Sequence, residues 1–251
     1  MKKKPLIPIN VIFISLLALG VSYALIVNSL SNFVSADINI IPGPDIVGWW
    51  KFDEGSGSNV QDSSQYGNNG IINGTAWSSS CKKGNCLIFD GNDDYIEFPE
   101  SSSLNVTNAI TMEAWVKLTS GGSDSWYDII RRKYGYEMSI QNSNQGIIEI
   151  ALNDGSWHWY DSISKINLDG NTWYYIATTW NKTTGKVRIY INGNLDVELN
   201  AITTPLQPSG VFWIGGAGTA WSTLGTIDGV RIWNVSLSSD DIQRIYLSGG
   251  L

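Results

Sequence analysis

A single histidine, His158, stands among 251 residues, and only two cysteines accompany it. Zinc sites that need two or three histidines are excluded, and two thiols do not repair the deficit. Charge is also scarce: 16% of residues are Asp, Glu, Lys or Arg, against about 25% in an ordinary soluble chain. The basic residues are the minority, 16 against 23 acidic, which gives a net charge of −7. No basic face is available to hold a nucleic acid. Helical periodicity is almost missing, and no internal repeat is visible. In their place stand 26 glycines and 12 tryptophans. So heavy a tryptophan load points to an all-β protein with large aromatic surfaces.

The N-terminus reads as an address. Met1-Lys2-Lys3-Lys4 precedes a stretch with no charged side chain until Asp37, and its apolar centre runs from Val11 to Val27. As a helix that centre is about 25 Å long, just short of a hydrocarbon core of about 30 Å. Lysines ahead of an apolar run hold the N-terminus in the cytoplasm and direct the rest of the chain to the outside. Residues 1–36 are therefore expected to be a signal peptide, cleaved after Ala36 or earlier after Ala24, or an uncleaved membrane anchor. Residues 37–44 would be a linker and 45–251 one domain, since about 200 residues suffice for one well-buried core and not for three. Either way the domain is secreted or held at the outer cell surface. Beyond Ala36 it carries 13 basic against 23 acidic residues.

Export bears on the cysteines. Cys81 and Cys86 enclose Lys82-Lys83-Gly84-Asn85, and in an oxidising compartment two cysteines that close across a glycine-bearing turn should pair. The spacing is not Cys-x-x-Cys and the histidine is distant in sequence, which disfavours a redox or metal role.

From Asp45 on, short β runs alternate with Gly, Asn, Asp and Ser. In Ala109–Leu118 the residues Ile110, Met112, Ala114, Val116 and Leu118 share one face, with Thr111, Glu113, Trp115 and Lys117 on the other. Residues 172–180 form a second strand. Lys186–Ile191 and Asn194–Leu199 flank Asn192-Gly193, a strong hairpin signal. Further runs lie at 46–52, 87–89, 95–98, 127–131, 137–140, 147–152, 157–163, 211–214 and 226–233. So many strands at such intervals predict an antiparallel two-sheet sandwich. One short helix is predicted near the C-terminus, opened by the capping box Ser238-Ser239-Asp240-Asp241 and stopped by Gly249-Gly250. It is expected across a sheet edge or a sandwich end.

Several segments resemble, in order, the laminin G-like jelly-roll domains of the concanavalin A-like lectin/glucanase superfamily. They are Gly48-Trp49-Trp50-Lys51-Phe52-Asp53-Glu54-Gly55-Ser56-Gly57, Asp62 through Gly70, Leu87-Ile88-Phe89-Asp90-Gly91-Asn92-Asp93-Asp94-Tyr95-Ile96, Trp173 through Gly193, and Gly225-Thr226-Ile227-Asp228-Gly229-Val230-Arg231-Ile232-Trp233-Asn234. Each motif is weak alone, and the ordered set is strong. The resemblance implies a concanavalin A-like sandwich. It also implies a structural Ca2+ joining the first strand to the last, with Asp228 as the main carboxylate and Asp53 or Glu54 and the carbonyl of Gly91 as companions. Many members read Asp-Asp where this chain has Asp228-Gly229, which removes one oxygen donor. The plainer role for Asp228 is a turn cap paired with Arg231 or Lys51.

Catalysis finds little support. Glycosidases of this fold carry Glu-x-Asp-x-x-Glu on one strand, and no such strand is present. Glu137, Glu149 and Glu198 each stand alone in a strand, and Glu97 and Glu100 flank Pro99 at a spacing of three. His158 falls on the opposite strand face from Trp157 and Trp159. Trp115, Trp173, Trp180, Trp213 and Trp233 are expected in or against the sandwich. Trp126, Trp157, Trp159 and Trp221 instead flank loops rich in Gly, Ser and Asp. Loop aromatics beside polar donors suit the C–H face of a sugar ring. The expected function is non-catalytic recognition of an extracellular glycan. The rivals are an adhesive surface protein that binds proteins or copies of itself, and a polysaccharide-cleaving enzyme. Sequons at Asn73, Asn105, Asn181 and Asn234 gain meaning only through export.

Overall fold

Alternation along the chain becomes two stacked sheets. The structure is a computed structural model and describes residues 45–249 apart from 123, 144, 145 and 219. The expected leader or anchor at 1–36 and linker at 37–44 lie outside the described residues. Chain order is β1 (Ile46–Trp50), β2 (Asn59–Val60), β3 (Gly70–Asn73), β4 (Ala76–Ser78), β5 (Cys86–Asp90), β6 (Tyr95–Phe98), β7 (Ala109–Leu118) and β8 (Trp126–Arg132), followed by β9 (Tyr136–Gln141), β10 (Ile147–Asn153), β11 (Trp157–Lys165) and β12 (Tyr174–Asn181). The chain then forms β13 (Lys186–Ile191), β14 (Asn194–Asn200), β15 (Phe212–Ile214), β16 (Leu224–Trp233) and the helix α1 (Ser239–Leu247).

One sheet has the order β14-β13-β12-β7-β16-β5-β4, with β1 also paired to β16. The other runs β11-β10-β9-β8-β15-β6-β3-β2. Every named pairing is antiparallel. The fold class is thus the expected all-β sandwich with a C-terminal helix. The three short strands β2, β3 and β4 are not legible in the sequence. They span two to four residues at the ends of the sheets and carry few buried side chains, so no apolar run marks them.

The inward face of β7 is the alternating set Ile110, Met112, Ala114, Val116 and Leu118, all in the core. Trp50, Phe98 and Phe212 pack ring to ring at 4.6–5.4 Å in the same core, and the indole N–H of Trp50 donates to the Asn68 carbonyl at 2.6 Å. The hairpin turn has φ of +51° at Asn192 and +77° at Gly193, the type I′ geometry that an Asn-Gly pair favours. A Cβ at position 193 would also meet the Tyr246 ring at 2.8 Å.

That contact shows where α1 lies. The helix covers the outer face of the first sheet instead of an edge or end: Tyr246 packs on Trp115 and Tyr175 with centroids 5.7 and 5.9 Å away, and the Trp115 indole donates to Gly249. The outer residues of β7 are large and buried, Trp115 among them, so they require a cover. Beneath it Arg231 forms a 2.7 Å ion pair with Glu113, both buried, and the Tyr175 hydroxyl donates to the same carboxylate. The predicted capping box is present, Ser238 with Asp241.

Candidate functional site

The outer face of the second sheet is polar and still largely buried. Asp128 on β8, Ser139 on β9, Glu149 on β10 and Asp161 on β11 stand opposite one another across consecutive strands. In a neighbouring row Arg131 faces Glu137, which faces Ala151, which faces Trp159. Trp126 opens β8 and Trp157 opens β11 on the same side. From above comes the loop after β15, whose Trp221 carbonyl accepts from the Asp128 amide at 3.0 Å. Its Ser222 amide donates to Asp124 at 2.8 Å.

These elements enclose a cleft of about 330 Å³. Its walls are Trp126, Trp157, Trp159 and Trp221, and its charged lining is Arg131, Glu137 and Glu149. All four tryptophans singled out in the sequence therefore meet at one place. Trp159 is 60% exposed and Trp221 40%, so their large apolar faces stay in water, at odds with the usual gain from burying such rings. Trp221 also has φ of +54°, a left-handed backbone that is an outlier for a bulky side chain and that clusters at ligand clamps. The Arg131 guanidinium lies 4.1 Å from the Trp221 ring centroid and 5.9 Å from that of Trp157.

Arg131 makes 2.9 Å ion pairs with both Asp128 and Glu137. Burial, reinforced by Glu137, pushes Asp128 well above the carboxylate range although Arg131 opposes the shift. Burial likewise pushes Glu149 up to about 8, with the charges of Glu137 and Asp161 adding to the effect. Asp161 is raised, again chiefly by burial. Glu149 shares a hydrogen bond with Asp161 and accepts from the Ser139 hydroxyl at 3.3 Å. In sequence Glu137 and Glu149 are solitary strand acids, and nothing local singles out Arg131, Asp128 or Asp161. One polar-face acid in each of four consecutive strands is the available signal, but only the strand register brings them together.

Other expectations come apart or change role. Cys81 and Cys86 form the predicted disulfide, with Cα atoms 5.6 Å apart. Asp228, fully buried, accepts from the amides of Lys82 and Lys83 within that loop, each at 3.0 Å. Arg231 pairs with Glu113, not with Asp228. Asp53 lies close enough to join burial in raising Asp228 to about 7. Glu54 instead accepts from the Gln61 amide at 2.6 Å. Gly91 adjoins Leu224, four residues before Asp228 on β16, which is about 13 Å along a strand. Calcium ligands lie at about 2.3–2.6 Å from the ion, so Gly91 does not share an ion with Asp228. Gly229, where the resemblance leads one to expect Asp, has φ of +55° at the register shift of β16, a backbone that favours glycine. Among the described residues, Asp90, Asp93 and Asp94 hold carboxylate oxygens within 4.8 Å of one another.

His158 contacts Asp154 at 3.0 Å, on a different face from the cleft tryptophans. Trp173 precedes β12 instead of lying in a strand, and Trp213 is only half buried, with its indole donating to Glu97 at 3.2 Å.

A family model described as the concanavalin A-like lectin/glucanases superfamily, of laminin G type, matches residues 90–243. The chain belongs to this family. The non-toxic nonhemagglutinin of Paraclostridium bifermentans is 28% identical over 207 residues, covering 75% of this chain and 15% of that protein. The binding domain of Paraclostridial Mosquitocidal Protein 1 superposes with a TM-score of 0.64 at 13% identity, over 80% of this chain and 52% of that one. A structure of botulinum neurotoxin type C, whose entry into cells depends on two ganglioside molecules, gives 0.62 at 15% identity, over 85% and 53%. The chain thus spans about half the length of these structures, and at such identities the likeness shows the fold.

Proposed function

We propose that this chain is a non-catalytic extracellular recognition domain that binds carbohydrate at a cell surface through the cleft of Trp126, Trp157, Trp159 and Trp221. One observation carries the reading: four indoles from three separate segments converge on one cleft and stay partly in water. Indole faces stack on the apolar faces of sugar rings, while the carboxyl and guanidinium groups below offer hydrogen bonds to hydroxyls. The structures of like fold include the binding domain of Paraclostridial Mosquitocidal Protein 1 and a botulinum neurotoxin type C structure whose toxin depends on two ganglioside molecules for cell entry, which supports a binding role. Export by the apolar N-terminal segment would place the domain outside the cell, secreted or anchored. The described residues hold no helix long and apolar enough to cross a membrane.

A glycan array probed with the wild-type protein and with Trp159→Ala and Trp221→Ala tests the reading. Wild type should retain a defined set of glycans, and both variants should lose them while keeping the wild-type melting temperature. Absence of any array binding by the wild type would retire the carbohydrate reading. It would leave a protein partner as the successor, a role supported by the binding domain of botulinum neurotoxin DC, which was solved in complex with rat synaptotagmin II.

A further inference from the structure

The cleft holds more carboxyl groups than basic ones. Glu137 and Glu149 line it, Asp128 and Asp161 adjoin them across the strands, and the one guanidinium, Arg131, is already committed to two 2.9 Å ion pairs. Asp128 is buried, and its Oδ1 accepts no hydrogen bond. It sits directly behind Arg131 and Glu137, both of which line the cleft. The indoles favour positive charge as well: Arg131 already lies against the faces of Trp221 and Trp157, as expected from the negative π-face of an aromatic ring.

We propose that the tryptophan cleft selects glycans whose sugars carry a free, positively charged amino group and turns away sialylated ones. This rests on the carbohydrate reading and goes further by naming the sugar. An ammonium group over the acids finds both carboxylate oxygens and indole faces. A sialic acid carboxylate meets Glu137, Glu149 and an arginine already neutralised. The groups facing Glu149 are Asp161 from β11, Glu137 and Ser139 from β9, and Asp128 and Arg131 from β8. A cation among them favours ionised carboxyls, so binding releases the proton of the shared Glu149–Asp161 bond.

The test is calorimetric titration of the full-length protein at mildly acidic pH, where sugar amines are charged. The probes are glucosamine tetramer, its fully N-acetylated counterpart and sialyllactose, with tetralysine as the control for attraction to any acidic surface. The glucosamine tetramer should bind at least about tenfold tighter than the acetylated form, a difference of about 1.4 kcal/mol. Sialyllactose should not bind, and Trp159→Ala should abolish the amine's binding. Glu149→Gln should narrow the preference. If that variant does not fold, proton release by wild type, read from heats in buffers of different ionisation enthalpy, decides the same point.

Binding of the acetylated tetramer or sialyllactose as tightly as the amine overturns the inference and leaves the carbohydrate reading standing. Tetralysine matching the amine, or Trp159→Ala leaving it unchanged, overturns the inference as mere charge attraction. No heat with any sugar overturns it too, and a silent glycan array then removes the carbohydrate reading as well.

Discussion

Glu149 couples the cleft to the stability of the fold. Its ordinary carboxyl value is about 4.3, and burial among acids pushes it up to about 8. Between those values the folded chain keeps the proton and the unfolded chain has lost it. Stability contributed by Glu149 is therefore full below about 4.3, falls as pH rises through the window, and stops falling above about 8. Glu149→Gln removes this loss, so its melting temperature should exceed wild type by a margin that grows from mildly acidic to mildly alkaline pH. A constant margin across that range would contradict the assignment. Trp159 and Trp221 make the opposite case, since both are substantially exposed and truncation should cost binding while leaving the melting temperature within a degree or two. The pairing of Glu113 with Arg231 is wholly structural. Glu113→Ala strands a buried guanidinium, at a cost of about 3–5 kcal/mol, which thermal denaturation should register as a drop on the order of 10 °C.

At the scale of elements, the long strands and the hairpin are legible in the sequence because their periods are local. Each alternate residue of β7 faces the core, and Asn192-Gly193 sets its own turn. The capping box of α1 is equally local, but its resting place is not. That place depends on Trp115 and Tyr175, which come from strands distant in sequence and form one aromatic floor. The cleft divides the same way. Its tryptophans stand out by their loop-flanking positions, whereas the acids below them are hidden, because each belongs to a different strand and only register makes them neighbours. The disulfide loop offers a direct test at this scale. It holds two amides on buried Asp228, and closing so short a loop is worth about 2 kcal/mol in chain entropy. Reduction should lower the melting temperature by about 4–8 °C, and an unchanged transition would show that the loop keeps its place without the bond.

Across the whole molecule, two sheets enclose an apolar core and divide the remaining work between their outer faces. One face is closed by α1 over a buried ion pair and stacked rings, and the other is left open as an acidic, tryptophan-walled cleft. The calcium set that the resemblance implies is not assembled as a whole, since Gly91 lies far along the strand from Asp228. Chelation with EDTA should accordingly leave the melting temperature in place, and a marked fall would reveal a cation elsewhere, with the Asp90, Asp93 and Asp94 group the first place to look. The most direct measurement is an 15N-resolved spectrum of the indole N–H groups, recorded while a glycan selected on the array is added. Signals of Trp126, Trp157, Trp159 and Trp221 should move together, with those of the core residues Trp50 and Trp180 unmoved. Shifts confined to other indoles, such as Trp77 or Trp213, would put the sugar elsewhere and contradict the account.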